Sequence, residues 1–218
     1  MARSFAFVEL AATAPARDWR RAGRVPTLSG ADGTADEPST TWRRLSRRRA
    51  YENPWIAVDE DVVELPSGAT TLYGIVRCGP CVGMLPFVDA DHVLLVRQYR
   101  YVTQRMTWEM PTGGVHPGES FEDAAQRELA EEVGARAGRL EPLTAYATSK
   151  SVVDETAHLF IAHDLTACSA VPDETEHFEV HTVAYADALD MVLSGEIVDS
   201  MTIIALLWAE HLRVTRPA

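Results

Sequence analysis

The sequence predicts an α+β fold. Strand-like and helix-like segments are mixed without the regular alternation of a doubly wound sheet, and the first strands come in pairs separated by turn-forming residues. Size agrees, since 218 residues hold one ordinary domain with extensions but not two large domains. At 46% hydrophobic and 24% charged residues, the composition is that of a soluble globular chain. No apolar run approaches the roughly 20 residues that cross a bilayer, so no membrane partner is expected.

The N-terminal stretch reads as a poorly packed extension. Residues 1–50 contain ten arginines and five acids, a local charge of +5 within a chain of net −12. Gly, Pro, Ser and Thr crowd residues 23–41, leaving little apolar surface to drive packing. The arginine clusters read as a solvated basic tail, with contact to RNA or an acidic partner as the alternative. Over the whole chain the negative excess repels nucleic acid and suits a protein that holds cations. The first eight residues lack the apolar run and cleavage site of a secretory signal. Three cysteines, Cys78, Cys81 and Cys168, form no even disulfide framework, which predicts a cytoplasmic location.

Strand character begins after Arg47. Residues 55–65 and 70–76 flank Pro66-Ser67-Gly68 as a hairpin with alternating apolar positions. Residues 82–87 and 93–97, around Asp89-Ala90-Asp91-His92, read as a second hairpin. A helix is predicted over residues 120–135, then strands near 140–148, 157–164 and 178–184, and closing helices near 187–194 and 200–213.

Chemistry concentrates in residues 113–135, where a glycine-bearing loop runs into the first helix. Ser120 is a plausible N-cap, with Asp123 three positions on approximating a capping box. Ala125, Leu129 and Val133, four apart, form the stripe that docks the helix on a sheet. Glu128, Glu131 and Glu132, at i, i+3 and i+4, project from adjacent turns within a sector of about 100°. Like charges this close repel one another unless a cation intervenes. Hard carboxylate oxygens gathered this way suit Mg2+ or Mn2+, which also take phosphate oxygens as ligands. An ordinary solvated acidic face is the competing reading.

The spacing extends beyond one helix face. Gly113, five residues, Glu119, seven residues, Arg127-Glu128-Leu129, one residue, Glu131-Glu132, one residue and Gly134-Ala135 resembles the Nudix box at every fixed position, with Ala135 where a bulkier aliphatic is usual. The resemblance implies a Nudix fold, mixed β-sheets sandwiched by helices (α/β/α), and an enzyme that hydrolyses a diphosphate with Mg2+ or Mn2+. It assigns Glu128, Glu131 and Glu132 to the metal, Glu131 counting also as catalytic, and adds the main-chain carbonyl of Thr112. Glu119 and Arg127 fall where an ion pair ties loop to helix. Gly113 and Gly114 would let the backbone approach the diphosphate.

Outside the box the likeness narrows to the ADP-ribose and nucleotide-sugar pyrophosphatase branch, over roughly residues 47–213. The segments Leu94-Leu95-Val96-Arg97-Gln98-Tyr99-Arg100-Tyr101 and Trp108-Glu109-Met110-Pro111-Thr112 resemble its approach to the box, and Arg100 matches an arginine that contacts substrate phosphate. The loop Asp173-Glu174-Thr175-Glu176 is similar to its acidic loop, which makes Glu174 the candidate base and Glu176 a further metal ligand. One departure concerns the substrate: the branch's Ser-Pro-Gly is replaced by Ser149-Lys150-Ser151, with Asp154-Glu155 retained. The sugar pocket must differ, so ADP-glucose, GDP-mannose and other conjugates stand beside ADP-ribose. Lys150 reads first as an exposed loop lysine, with contact to a terminal phosphate as the alternative.

Cys78-Gly79-Pro80-Cys81 duplicates a thiol-redox motif, but redox chemistry needs the first cysteine at a helix N-terminus, and the following residues are strand-like. A thiol oxidoreductase is therefore the weakest alternative, and a Nudix-fold regulator without turnover the other. The implied organisation is an extension over residues 1–45, a β-hairpin region over 46–76 and the Nudix domain over 77–218. A lone hairpin is marginal and must pack on something. Related pyrophosphatases build a symmetric dimer from such a sheet, which predicts a homodimer with Trp55 and Tyr73 as the aromatics that cover the base.

Overall fold

The computed structural model describes residues 41–169 and 179–215 of the chain. In chain order these form β1 (Arg43–Glu52), β2 (Ala57–Glu64), β3 (Thr70–Arg77), β4 (Cys81–Pro86), β5 (His92–Arg100), β6 (Arg105–Glu109), β7 (Thr112–Gly114) and α1 (Phe121–Val133). There follow β8 (Ala135–Ala147), β9 (Val153–Asp154), β10 (Thr156–Ala167), β11 (Glu179–Ala184), α2 (Tyr185–Ser194) and α3 (Ser200–Thr215). The described residues divide into two compact units: 41–81 with Ala145–Ala157, and Val82–Thr144 with 158–169 and 179–215. Among the described residues no helix is long and apolar enough to cross a membrane.

The first unit is a sheet of order β1-β2-β3-β9. The predicted hairpin is present: Leu65 and Gly68 close its turn, with Gly68 at φ 83°, and β2 pairs antiparallel with β3 from Ala57↔Arg77 to Glu64↔Thr70. Sequence reading has no strand corresponding to β1, which starts at Arg43 within the stretch assigned to the extension. Its arginines meet acids across the ladder: Arg43 bonds Glu64, Arg47 grips Asp61 at 2.7 and 2.9 Å, Arg48 bonds Glu60 and Arg49 bonds Asp59 at 2.6 Å. These side chains are exposed yet ion-paired across the ladder. β2 turns Asp59, Asp61 and Val63 to one face, so its covered positions include two carboxylates. Asp59 is shielded by Arg49, Arg77 and Arg47, and hydrogen bonds from Arg77 and Arg49 hold its carboxyl below the ordinary range.

The second unit is built on two sheets, β7-β4-β10-β8 and β11-β5-β6. Their shared core gathers Val82 and Met84 from β4, Leu94 and Val96 from β5, Phe160 and Ala162 from β10, and Ala124, Ala125, Leu129 and Val133 from α1. On the other side of β4, a Cβ at Gly83 would stand 2.9 Å from Met201 of α3, so α3 lies tight against that strand. Sheets thus lie between α1 and the C-terminal helices, the predicted α/β/α arrangement.

The second predicted hairpin does not form. β4 is flanked by β7 and β10, and β5 by β11 and β6; the two share just the isolated bridge Phe87↔Val93. Both strands are buried along consecutive residues, as interior strands covered on both faces must be.

Candidate active site

Local sequence sets the geometry of α1. The Ser120 side chain accepts from the Asp123 amide at 3.0 Å, and Gly134 ends the helix in the left-handed region at φ 63°. The Gln126 side-chain amide pairs with both backbone groups of Ala137, at 2.7 and 3.1 Å, and so joins the helix to β8. Glu128 and Glu132 are thereby held inward at 8% and 6% exposure, whereas the Glu131 side chain is 38% exposed.

Arg127 organises the loop. Its Nε and Nη2 donate to the two oxygens of Glu119 at 3.0 Å each, Nη2 also donates to the Gly114 carbonyl at 2.8 Å, and Nη1 reaches Glu128 at 2.6 Å and Glu131 at 3.1 Å. Glu119 further accepts from the His116 amide at 2.9 Å. The Arg127 hydrogen bond, outweighing the cost of desolvation, lowers the Glu119 pKa to about 2, and Glu119 in turn raises that of Arg127. The pair joins loop and helix.

The glycines differ from one another. A Cβ on Gly113 would stand 1.9 Å from a carboxylate oxygen of Glu128, so this position must lack one for Glu128 to lie where it does. A Cβ on Gly114 would meet nothing within 4 Å. Next to Gly113, the Thr112 amide donates to Glu132 at 3.3 Å. Buried carboxylates, a strand main chain packed against them and an all-oxygen donor set fit a hard divalent cation. Among the described residues, however, no three acidic side chains are already gathered as a metal cage, and the cationic Nη1 of Arg127 reaches both Glu128 and Glu131.

Arg100 lies on the same side of the β5–β6 ladder as Glu109. Its Nε and Nη2 are bound to that carboxylate, with Nε at 2.9 and 3.1 Å, and this pairing raises the Arg100 pKa. Glu109 is 4% exposed and also accepts from Thr107 at 2.5 Å. Sequence reasoning missed Glu109 as a holder of Arg100. The signal was an acid and an arginine on one face of a short hairpin, legible only once the register is known. Thr202 and Asp199 were also missed; Thr202 Oγ1 accepts the Met110 amide at 2.9 Å.

Other expected residues lie elsewhere or outside view. Glu174 and Glu176 fall outside the described residues. Trp55 is 79% exposed, at the β1–β2 turn. Tyr73 stands opposite Asp61 and meets Trp42 edge-on at 5.9 Å, beside a surface cavity of about 300 Å³ lined by Trp42, Asp61, Val63, Tyr73 and Ile75. Within one chain Trp55 and Tyr73 are not brought together. Asp154 is ion-paired with Arg77, and Lys150 is exposed. Cys78 precedes a strand and not a helix, and burial raises its pKa, the reverse of an activated thiol.

Comparison with known proteins agrees with this geometry. The NUDIX domain model matches residues 79–199, and the model of the nucleoside diphosphate sugar hydrolase N-terminal domain matches residues 42–76. The chain is 32% identical over 170 residues to an ADP-ribose pyrophosphatase of Bacillus subtilis (strain 168), covering 77% of this chain and 92% of that protein. It is equally 32% identical over 170 residues to a methanol dehydrogenase activator of Bacillus methanolicus, with the same coverage of 77% and 92%. In fold it is similar to a crystal structure of an ADP compounds hydrolase, at TM-score 0.75 and 24% identity over 84% of this chain and 99% of the other. Matched by the NUDIX model over more than half of its length, the chain belongs to the Nudix hydrolase family.

Proposed function

We propose that the protein hydrolyses the diphosphate of a nucleotide sugar of the ADP-ribose type, giving a nucleoside monophosphate and a sugar phosphate, in a reaction that depends on Mg2+ or Mn2+. The observation that carries this reading is the Glu128, Glu131 and Glu132 set on α1, with the buried Glu128 and Glu132 packed against Gly113 and Thr112 of β7. Similarity to a named ADP-ribose pyrophosphatase supports the substrate class.

Glu128, Glu131, Glu132 and the Thr112 carbonyl would hold the cation, with Glu176 as a further ligand. When bound, it would neutralise phosphate oxygens and lower the pKa of a water molecule. Arg127 and Glu119 hold the loop so that Gly113 and Gly114 present main chain toward the substrate. Arg100, kept in place by Glu109, retains Nη1 without a protein partner among the described residues, and that edge is assigned to a substrate phosphate. Glu174 is assigned as the proton acceptor for the attacking water, and Glu131, the most exposed of the three helix carboxylates, as the residue closest to the chemistry.

The β1–β3 sheet supports a homodimer, with Trp55 and Tyr73 as the aromatics offered to the nucleobase. Three free cysteines are in keeping with a cytoplasmic location. The test is product release from ADP-ribose, ADP-glucose and GDP-mannose, with Mg2+ and with a chelator. Mg2+-dependent turnover of at least one, ADP-ribose foremost, is expected; turnover that ignores the chelator overturns the reading. A regulator without turnover is the second reading, favoured by the equal likeness to an activator protein. Folded protein that binds nucleotide but turns over none of the panel would establish it.

A further inference from the structure

We propose that Thr202 is a positioning residue for the metal site, acting through the main chain of Met110-Pro111-Thr112. This rests on the metal-dependent reading above. Three consecutive residues of that segment are each tied to a different element. The Met110 amide donates to Thr202 Oγ1 of α3 at 2.9 Å, the Pro111 carbonyl accepts from the Met84 amide of β4 at 3.0 Å, and the Thr112 amide donates to Glu132 of α1 at 3.3 Å. The bond to α3 joins residues 92 apart in sequence, and both Met110 and Thr202 are 0% exposed, so no water substitutes for the hydroxyl if it is lost.

The hydroxyl is itself oriented. Thr202 Oγ1 donates to Asp199 Oδ2 at 2.6 Å, and the same carboxylate oxygen accepts the Thr202 amide at 2.7 Å. Asp199 also gives its carbonyl to the Ile203 amide at 3.0 Å, which makes it the cap of α3. With its proton committed to Asp199, Thr202 Oγ1 presents lone pairs to Met110. Pro111 has a fixed φ, its carbonyl is held by the Met84 amide and the Thr112 amide by Glu132, so few free dihedrals lie between Met110 and the Thr112 carbonyl to absorb a shift. Thr202 thus aims, without touching substrate, the carbonyl assigned to the cation.

The test compares Thr202→Val, which keeps shape and loses the hydroxyl, with Thr202→Ser, which keeps the hydroxyl, in the full chain. Amide hydrogen exchange at Met110 and Mn2+ binding followed by the free-ion EPR signal are read alongside kcat and KM. T202V is expected to exchange Met110 at least ~10-fold faster and to bind Mn2+ about 10-fold more weakly, with T202S close to wild type on both. Should T202V fail to fold, Asp199→Ala, which leaves the hydroxyl unoriented, is read the same way with the same expected direction. Wild-type Mn2+ affinity in folded T202V, or in folded D199A where T202V does not fold, overturns the proposal, as does an equal loss in T202S. Absence of Mn2+ binding by the wild type overturns the metal reading itself, a result distinct from either.

Discussion

Gly113 shows how a position usually read as backbone freedom can be a demand for space. The space beside it is filled by the Glu128 carboxylate, and the atoms a Cβ would strike are the far end of a flexible side chain. Gly113→Ala should therefore fold with a melting temperature near that of wild type, while Glu128 swings away and Mg2+ affinity falls by roughly 10-fold or more. Unchanged metal affinity, measured by calorimetric titration, would show that Glu128 does not hold the cation. Glu119 carries a pH signature. Its pKa is about 2 in the folded protein against an ordinary 4.5, so its contribution is complete above about 4.5 and is lost as pH falls toward 2. Thermal denaturation of wild type and Glu119→Gln from pH 7 downward should show a stability difference that shrinks across that window. A difference that stays constant there contradicts the Arg127 pairing. Both residues were legible from sequence as members of a fixed spacing. What Gly113 makes room for was not, because Glu128 is a neighbour only through the helix docking.

Among the elements, legibility follows how local the determining interactions are. The helix over residues 121–133 and the turn at Pro66-Ser67-Gly68 were readable, since cap, stripe and turn residues act within a few positions of themselves. β1 was unreadable for the opposite reason. Taken alone, Arg43, Arg44, Arg47, Arg48 and Arg49 resemble a solvated tail, and the acids that order them lie on β2, across a ladder pairing Arg47 with Asp61 and Arg49 with Asp59. β4 and β5 misled because adjacency in sequence suggested a hairpin, whereas each has both edges occupied by other strands. On the proposed homodimer, removal of residues 1–40 should leave assembly intact, and removal through Val76 should abolish both dimer and activity. A monomer of full activity after the longer deletion, seen by light scattering, would exclude the sheet from the functional assembly.

The molecule as a whole carries a net charge of −12, yet its charges are placed for different tasks. In the N-terminal sheet acids and arginines neutralise one another, whereas the guanidinium of Arg127 is shared by Glu119 of the loop and by Glu128 and Glu131 of α1. A divalent cation at that helix is what the proposed diphosphate chemistry requires, and the carboxylate spacing that raises this expectation is legible in the sequence. The substrate's sugar was less legible, because the segment 149–155 departs from the branch pattern and its Asp154 is engaged by Arg77. Hydrolysis of ADP-ribose is best followed by phosphorus NMR in wild type, Glu131→Gln and Glu132→Gln, each over a range of Mg2+ concentrations. Wild type should release AMP and a sugar phosphate only with Mg2+, and both variants should lose about 100-fold or more in rate while remaining folded. Turnover that persists without a divalent cation, or full activity in both variants, would contradict the assignment of these carboxylates.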